Sequence, residues 1–314
     1  MKTKLLHLSV ITLGYVACIY SMQLTWELSS NFSLPLKVFI CHVEATVFIY
    51  FLSVIFNNSS WYDAFWSVIP VVLAVMCWSD LAAAGNTQRA LLMHACLLFW
   101  AIRLTYNWMR SWDGFSHEDW RYVMMKAKTK NKFEYFIVDF GSIHLIPTIC
   151  VYLALLPMIF ALAYPGNGLN MLDIVAALLS VIAVIIQIIS DQQMYNFRNN
   201  MTESKTMQTG LWFYSRHPNY FGEILFWFSL FVFAVASSMS FAWLLIGCIV
   251  MYALIAIASV SMMDKRSLNR RADFKDYMES TPAIFINFFK KSSAVFLFQL
   301  TFKFPNINKV DLTF

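Results

Sequence analysis

The chain has 314 residues, of which 59% are hydrophobic and only 13% charged, with a mean hydropathy of +0.59 and a formal charge of +5. Soluble domains carry roughly a quarter charged residues, so this composition excludes an ordinary globular enzyme and predicts an all-α, polytopic transmembrane bundle. The positive excess calls for no nucleic acid partner, because the distribution of basic residues along the chain accounts for it.

A bilayer is crossed by roughly 20 apolar residues in a helix, and eight windows qualify: 5–24, 34–56, 64–84, 89–109, 143–163, 171–190, 221–237 and 241–263. With a cytoplasmic N-terminus, 20 of the 23 Lys and Arg fall in Lys2 and Lys4, the 110–142 and 191–220 loops and the tail after Met263. Arg89 alone is external, and Lys37 and Arg103 lie within spans. Seven spans would spoil this alternation. The first window lacks a small-x-small cleavage site and is read as an uncleaved span. No hydrophilic stretch is long enough to fold alone, so residues 1–314 form a single integral membrane domain. The expected location is the endoplasmic reticulum membrane of a eukaryote or the inner membrane of a bacterium.

In chain order, the first unusual residue is Glu44, in the middle of the second window, where an unpaired carboxylate is costly and its protonated form donates a hydrogen bond. His42 is its alternative explanation, as a partner. In the fourth window His94 reads as a buried, hydrogen-bonded histidine. Arg103, Asn107 and Arg110 follow helical spacing and form one polar stripe at the cytoplasmic end, either snorkelling to the interface or docking an anion. The next loop carries Ser111 to Tyr122, followed by Lys126, Lys128, Lys130 and Lys132, a pattern that also suits an interfacial aromatic belt with positive-inside lysines. Pro165-Gly166-Asn167-Gly168 marks an external turn. Where the sixth window ends, Asp191, Tyr195 and Arg198 again share one helical face. Six cysteines sit singly in apolar stretches as small hydrophobes, and no metal set is formed by His7, His42, His94, His117, His144 and His217. Of the Asn-x-Ser/Thr matches at Asn31, Asn57 and Asn200, only Asn31 lies in a predicted external loop.

The most informative stretch runs from Gly210 to Glu223. Pro218 fits a first helical turn, which places Asn219 and Glu223 on one face under the Arg216-His217 pair. After the last window come Met263-Asp264-Lys265-Arg266, Asp273 to Tyr277 and Thr281 to Ile286. There is no G-x-G-x-x-G unit, so a Rossmann domain is unsupported and any nucleotide sits between membrane helices.

Gly210 to Glu223, together with Trp100 to Tyr106 and His117 to Tyr122, resembles the steroid 5-alpha-reductase C-terminal domain family over residues 61–286. Arg216-His217-Pro218 is shared with membrane isoprenylcysteine methyltransferases. The reductase resemblance implies an NADPH-dependent membrane oxidoreductase that reduces a carbon–carbon double bond in a lipophilic, steroid-, sterol- or isoprenoid-like small molecule. It also implies a cofactor pocket drawn from Arg103, Asp191, Arg198, Tyr214, Arg216, His217, Asn219, Glu223 and Arg266. Within it Arg103, Arg198 and Arg216 are the expected phosphate contacts, while Asp191, Asn219 and Glu223 hold sugar or amide groups. Glu44 is the expected acid on the substrate carbonyl. Two alternatives stand beside it: an S-adenosylmethionine-dependent methyltransferase, whose usual acidic pair in the C-terminal segment is missing here, and a non-catalytic lipid-binding membrane protein.

Overall fold

The computed structural model describes residues 2–81, 87–164, 166–200, 205–287 and 289–290. Pro165 of the external turn, the end of the third window, and Lys291, Lys303 and Lys309 of the basic tail lie outside the described residues. Among the described residues there is helix and no strand.

The long helices are α1 (Lys2–Leu28), α2 (Leu34–Ile55), α3 (Phe65–Leu81), α4 (Thr87–Ser111), α7 (Ile146–Ala163), α8 (Met171–Asn200) and α10 (Pro218–Ser237). Short α5 (Trp120–Lys126) and α6 (Lys132–Phe136) precede a π-helical segment, Ile137–Leu145, that runs straight into α7. The four-residue α9 (Leu211–Tyr214) leads into α10. The last pass is built of α11 (Leu245–Ala253), a π segment (Leu254–Val260) and α12 (Ser261–Arg270), followed by α13 (Phe274–Ser280).

Every expected window falls on a helix, and seven helical runs are long and apolar enough to cross a membrane. The third, α3, is shorter at 17 residues, which is about 26 Å of helix. Its contacts fix its direction relative to α4. Near its start Ser67 is hydrogen-bonded to Thr105, late in α4, at 2.7 Å; further along, the Ala74 carbonyl meets His94, earlier in α4, at 3.0 Å. Helices α3 and α4 are therefore antiparallel. With α3, the helical segments that match the expected windows number eight among the described residues, and eight crossings would return the segment after Arg270 to the side on which α1 starts.

Two polar links mark the ends of the bundle. At the end of the bundle away from the start of α1, Arg89 donates to both carboxylate oxygens of Asp173, at 2.6 and 2.8 Å, and to the carbonyls of Asn167 and Gly168. This ties the start of α4 to the start of α8. On the near side Lys4 donates to the Arg110 carbonyl at 3.3 Å, joining the start of α1 to the end of α4. All six cysteines are buried and free.

Helices α8 and α10 share the most extensive helix contact, and at Gly222 their backbones come close. A Cβ there would stand 2.6 Å from the Gln187 side chain and 2.8 Å from the Ala183 carbonyl. Only glycine lets the two backbones meet so tightly. That approach brings Glu223 within reach of α8.

Candidate functional site

Three helices converge on Glu223. One carboxylate oxygen accepts from the Trp100 indole at 3.0 Å and the Gln187 amide at 2.8 Å; the other accepts from the Trp227 indole at 2.9 Å. An Arg103 nitrogen stands 4.0 Å away, and the same guanidinium is bonded to Asp191. The stripes expected on α4 and α8 thus face each other. Arg103 meets Asp191, and Arg110 bridges Asn107 at 3.0 Å and Gln192 at 2.7 Å while its guanidinium lies 4.5 Å over the Tyr195 ring. A buried ion pair is tolerable only when its remaining hydrogen-bonding capacity is met. Here it is not fully met, since Arg103 Nε, Gln187 Oε1 and Asn219 Oδ1 are buried without partners.

The Arg216-His217 pair has a different setting. Arg216 donates to Asp264 at 2.8 Å and to the carbonyls of Met278 and Thr281 at 3.1 and 2.6 Å. His217 Nε2 is 2.9 Å from the other Asp264 oxygen, and its ring stacks on Tyr220. The segment after α13 runs back along this turn, with the Arg216 amide bonded to the Pro282 carbonyl, the Asn287 amide to Tyr214 and the Ser215 hydroxyl to Ile284. Tyr277 caps the same turn through the carbonyls of Trp212 and Ser215. Gly210, at φ 62° and ψ −134°, starts it in a conformation open essentially to glycine alone. Arg216 therefore bolts the C-terminal segment to the start of α10, and Tyr214 contributes its backbone carbonyl to that seam.

The cations left for an anion lie beside this turn. Arg266 stacks 4.0 Å over the Trp120 ring and keeps one guanidinium nitrogen, Nη1, buried without a partner. Arg198 is exposed at the end of α8. Arg198, Arg270 and Arg271 all act on one another or on Arg266 as like charges. Beyond the last span, burial and the neighbouring charge of Arg198 hold the Arg271 guanidinium below its ordinary value.

The loop from His117 to Tyr122 supplies the remaining wall. Glu118 accepts from the Ser59 amide and from Lys126, and Asp119 caps α5 while holding Arg121 in a two-point ion pair at 2.9 Å. Burial acts to raise the Asp119 carboxyl, but the bonds and charge of Arg121 outweigh it and hold the group below the usual carboxylate range. Tyr122 donates to Asp63 at 2.9 Å. Desolvation, reinforced by the Asp119 charge, pushes the Asp63 carboxyl up to about 7 against the pull of Arg121, Tyr122 and Ser60.

Glu44 is placed elsewhere. It accepts from Ser21 at 2.6 Å across the α1–α2 contact, its second oxygen is buried without a partner, and none of its described polar contacts is with Glu223 or Asp191. His42 is not its partner: the imidazole stacks on Phe65, on the α3 side, with both ring nitrogens unbonded. His94 is hydrogen-bonded between the Ala90 and Ala74 carbonyls, as expected, but is half-buried rather than buried.

In the sequence Trp100 and Asp264 are read only as parts of longer stretches, and Gln187 and Asp63 are not singled out. Trp100 and Gln187 carried a usable signal: Trp100 precedes Arg103 by three residues, and Gln187 precedes Asp191 by four, so each shares a face with a suspected group. Asp264 and Asp63 gave no such signal, because their partners are distant in sequence.

The chain matches, over residues 49–281, the family described as "Protein of unknown function (DUF1295)", and it belongs to that family. It is also similar to "Uncharacterized protein C594.04c" of Schizosaccharomyces pombe, at 28% identity over 222 residues, which cover 62% of this chain and 64% of that protein. The alignment therefore spans somewhat less than two thirds of the relative. No solved structure matches.

Proposed function

We propose that the chain is a membrane oxidoreductase of the steroid 5-alpha-reductase-like type, which uses NADPH to reduce a carbon–carbon double bond in a lipophilic small molecule. The observation that carries this reading is the set of buried polar atoms without partners around Glu223, namely Arg103 Nε on α4, Gln187 Oε1 on α8 and Asn219 Oδ1 on α10, together with Arg198 near the end of α8. Amide and ribose groups need such mixed donors and acceptors, and phosphates need such cations. The residues present fit the cofactor in that sense.

NADPH, when bound, supplies a hydride. Asn219, Gln187 and the Arg103–Asp191 pair would orient its polar groups, and Glu223, fixed by three N–H donors, would hold Trp100 and Gln187 in place. Arg198, Arg266, Arg270 and Arg271 would take the phosphates. Arg216 is assigned to bracing rather than to phosphate, since its guanidinium is committed to Asp264 and two carbonyls. Glu44, with one oxygen unbonded, is the acid proposed to hydrogen-bond the substrate oxygen where negative charge develops. The membrane is the source of the substrate and the endoplasmic reticulum or inner membrane its place.

Titration of the purified protein with NADPH, NADH and S-adenosylmethionine tests the reading. The expected result is NADPH binding that weakens at least tenfold in Arg198→Ala/Arg266→Ala. Binding of S-adenosylmethionine alone would replace the reductase by a methyltransferase, and binding of none of the three would leave a lipid-binding protein.

A further inference from the structure

A second surface, away from Glu223, carries its own chemistry. Met125, Lys128, Thr129, Phe133, Glu134, Ile137 and Val138 line an open groove of about 300 Å³ where α5, α6 and the first π segment meet. Its floor is apolar, Lys128 lines it, and Lys130 and Lys132 lie next to its lining residues in the chain. Lys126 is paired with Glu118, but Lys128, Lys130 and Lys132 are exposed and, among the described residues, make no ion pair. Glu134, the one carboxylate in the lining, is occupied with the backbone amide of Lys130 and the side chain of Asn131. Phe133 is 72% exposed and Ile137 48%, so the apolar lining continues outward onto the surface.

The depth of the groove follows from helix length. The unbroken run Lys132–Ala163 has 32 residues, which is about 48 Å of helix against a hydrocarbon core of roughly 30 Å. Its first turns therefore stand in the headgroup layer. Buried polar groups agree: Asp139 accepts from Ser59 at 2.6 Å and His144 meets Ser53 at 3.1 Å, which puts the boundary at the end of α2.

We propose that this groove binds an anionic phospholipid of the surrounding membrane, with its phosphate among Lys128, Lys130 and Lys132 and its acyl chain along Phe133 and Ile137. Uncompensated cations at headgroup depth select negative lipid over zwitterionic lipid. The apolar floor selects a lipid over free phosphate, which has nothing to place there.

The test is native mass spectrometry of the full chain in detergent, with added dioleoylphosphatidylglycerol or dioleoylphosphatidylcholine. Wild type is expected to retain the anionic lipid preferentially. Lys128→Gln/Lys130→Gln/Lys132→Gln should weaken that retention on the order of 100-fold, while Lys265→Gln/Lys275→Gln, exposed charges elsewhere, should not. Ile137→Trp fills the groove without changing charge and should also reduce retention, which keeps the test open if the triple variant misfolds. Equal retention of the two lipids by wild type, full retention in Ile137→Trp, or equal losses in both lysine variants would overturn the proposal.

Discussion

Asp63 shows how a single carboxyl records its surroundings. Its folded value of about 7 lies above the unfolded one, so its burden is absent below about pH 4, where both states are protonated, and grows as pH rises to about 7. The sign follows: the carboxyl costs the folded chain most in neutral and alkaline solution. Asp63→Asn keeps an oxygen for the Tyr122 hydroxyl and removes the titration. Thermal unfolding of the two proteins at about pH 5 and about pH 8 should show the variant gaining on wild type, by an amount on the order of a few kcal/mol at the higher pH. A constant difference would mean that Asp63 is ionised throughout. Glu223→Gln is the converse case, because its amide would turn an N–H toward the donors of Trp100 and Gln187 or of Trp227. Stability should fall by about 1–3 kcal/mol, and NADPH affinity should fall with it; a stable variant with unchanged affinity removes Glu223 from the site. At this scale the sequence disclosed Arg103, Asp191, Asn219 and Glu223 by helical spacing. It did not disclose that Arg103 meets Asp191 across two helices, nor that Arg216 is spent on Asp264, since those pairings depend on packing.

Among the elements, the helix crossings depend on small residues and on fixed charges. Gly222→Ala would press a methyl group against the Ala183 carbonyl and Gln187, separating α8 from α10 at a cost of about 1–3 kcal/mol and loosening the Gln187–Glu223 bond. Cofactor affinity should drop more in this variant than in Gly168→Ala, where a Cβ meets nothing within 4 Å. The Arg89–Asp173 clamp is a stability device at the far end. Arg89→Ala leaves a buried carboxylate alone and should cost roughly 3–5 kcal/mol in chemical or thermal unfolding, with activity per folded molecule retained. Apolar periods located the spans, and Pro218 marked the first turn of α10 as expected. The π segments were not legible in Ile137–Leu145 or Leu254–Val260. Both are apolar runs like any other, and a widened turn is set by what it must reach, as Asp139 reaches Ser59.

For the whole molecule, eight crossings, α3 included, predict that the start of α1 and the segment after Arg270 lie on one side. Reporter fusions to the two termini should report the same, cytoplasmic, compartment; opposite compartments would mean that α3 does not cross. The arrangement also bears on biosynthesis. Arg103 is made early, Asp191 and Glu223 later, and Asp264, Thr281 and Pro282, which fasten the turn before α10, come almost at the end of the described chain. The proposed cofactor pocket thus takes its shape only once the chain has been made as far as Thr281 and Pro282.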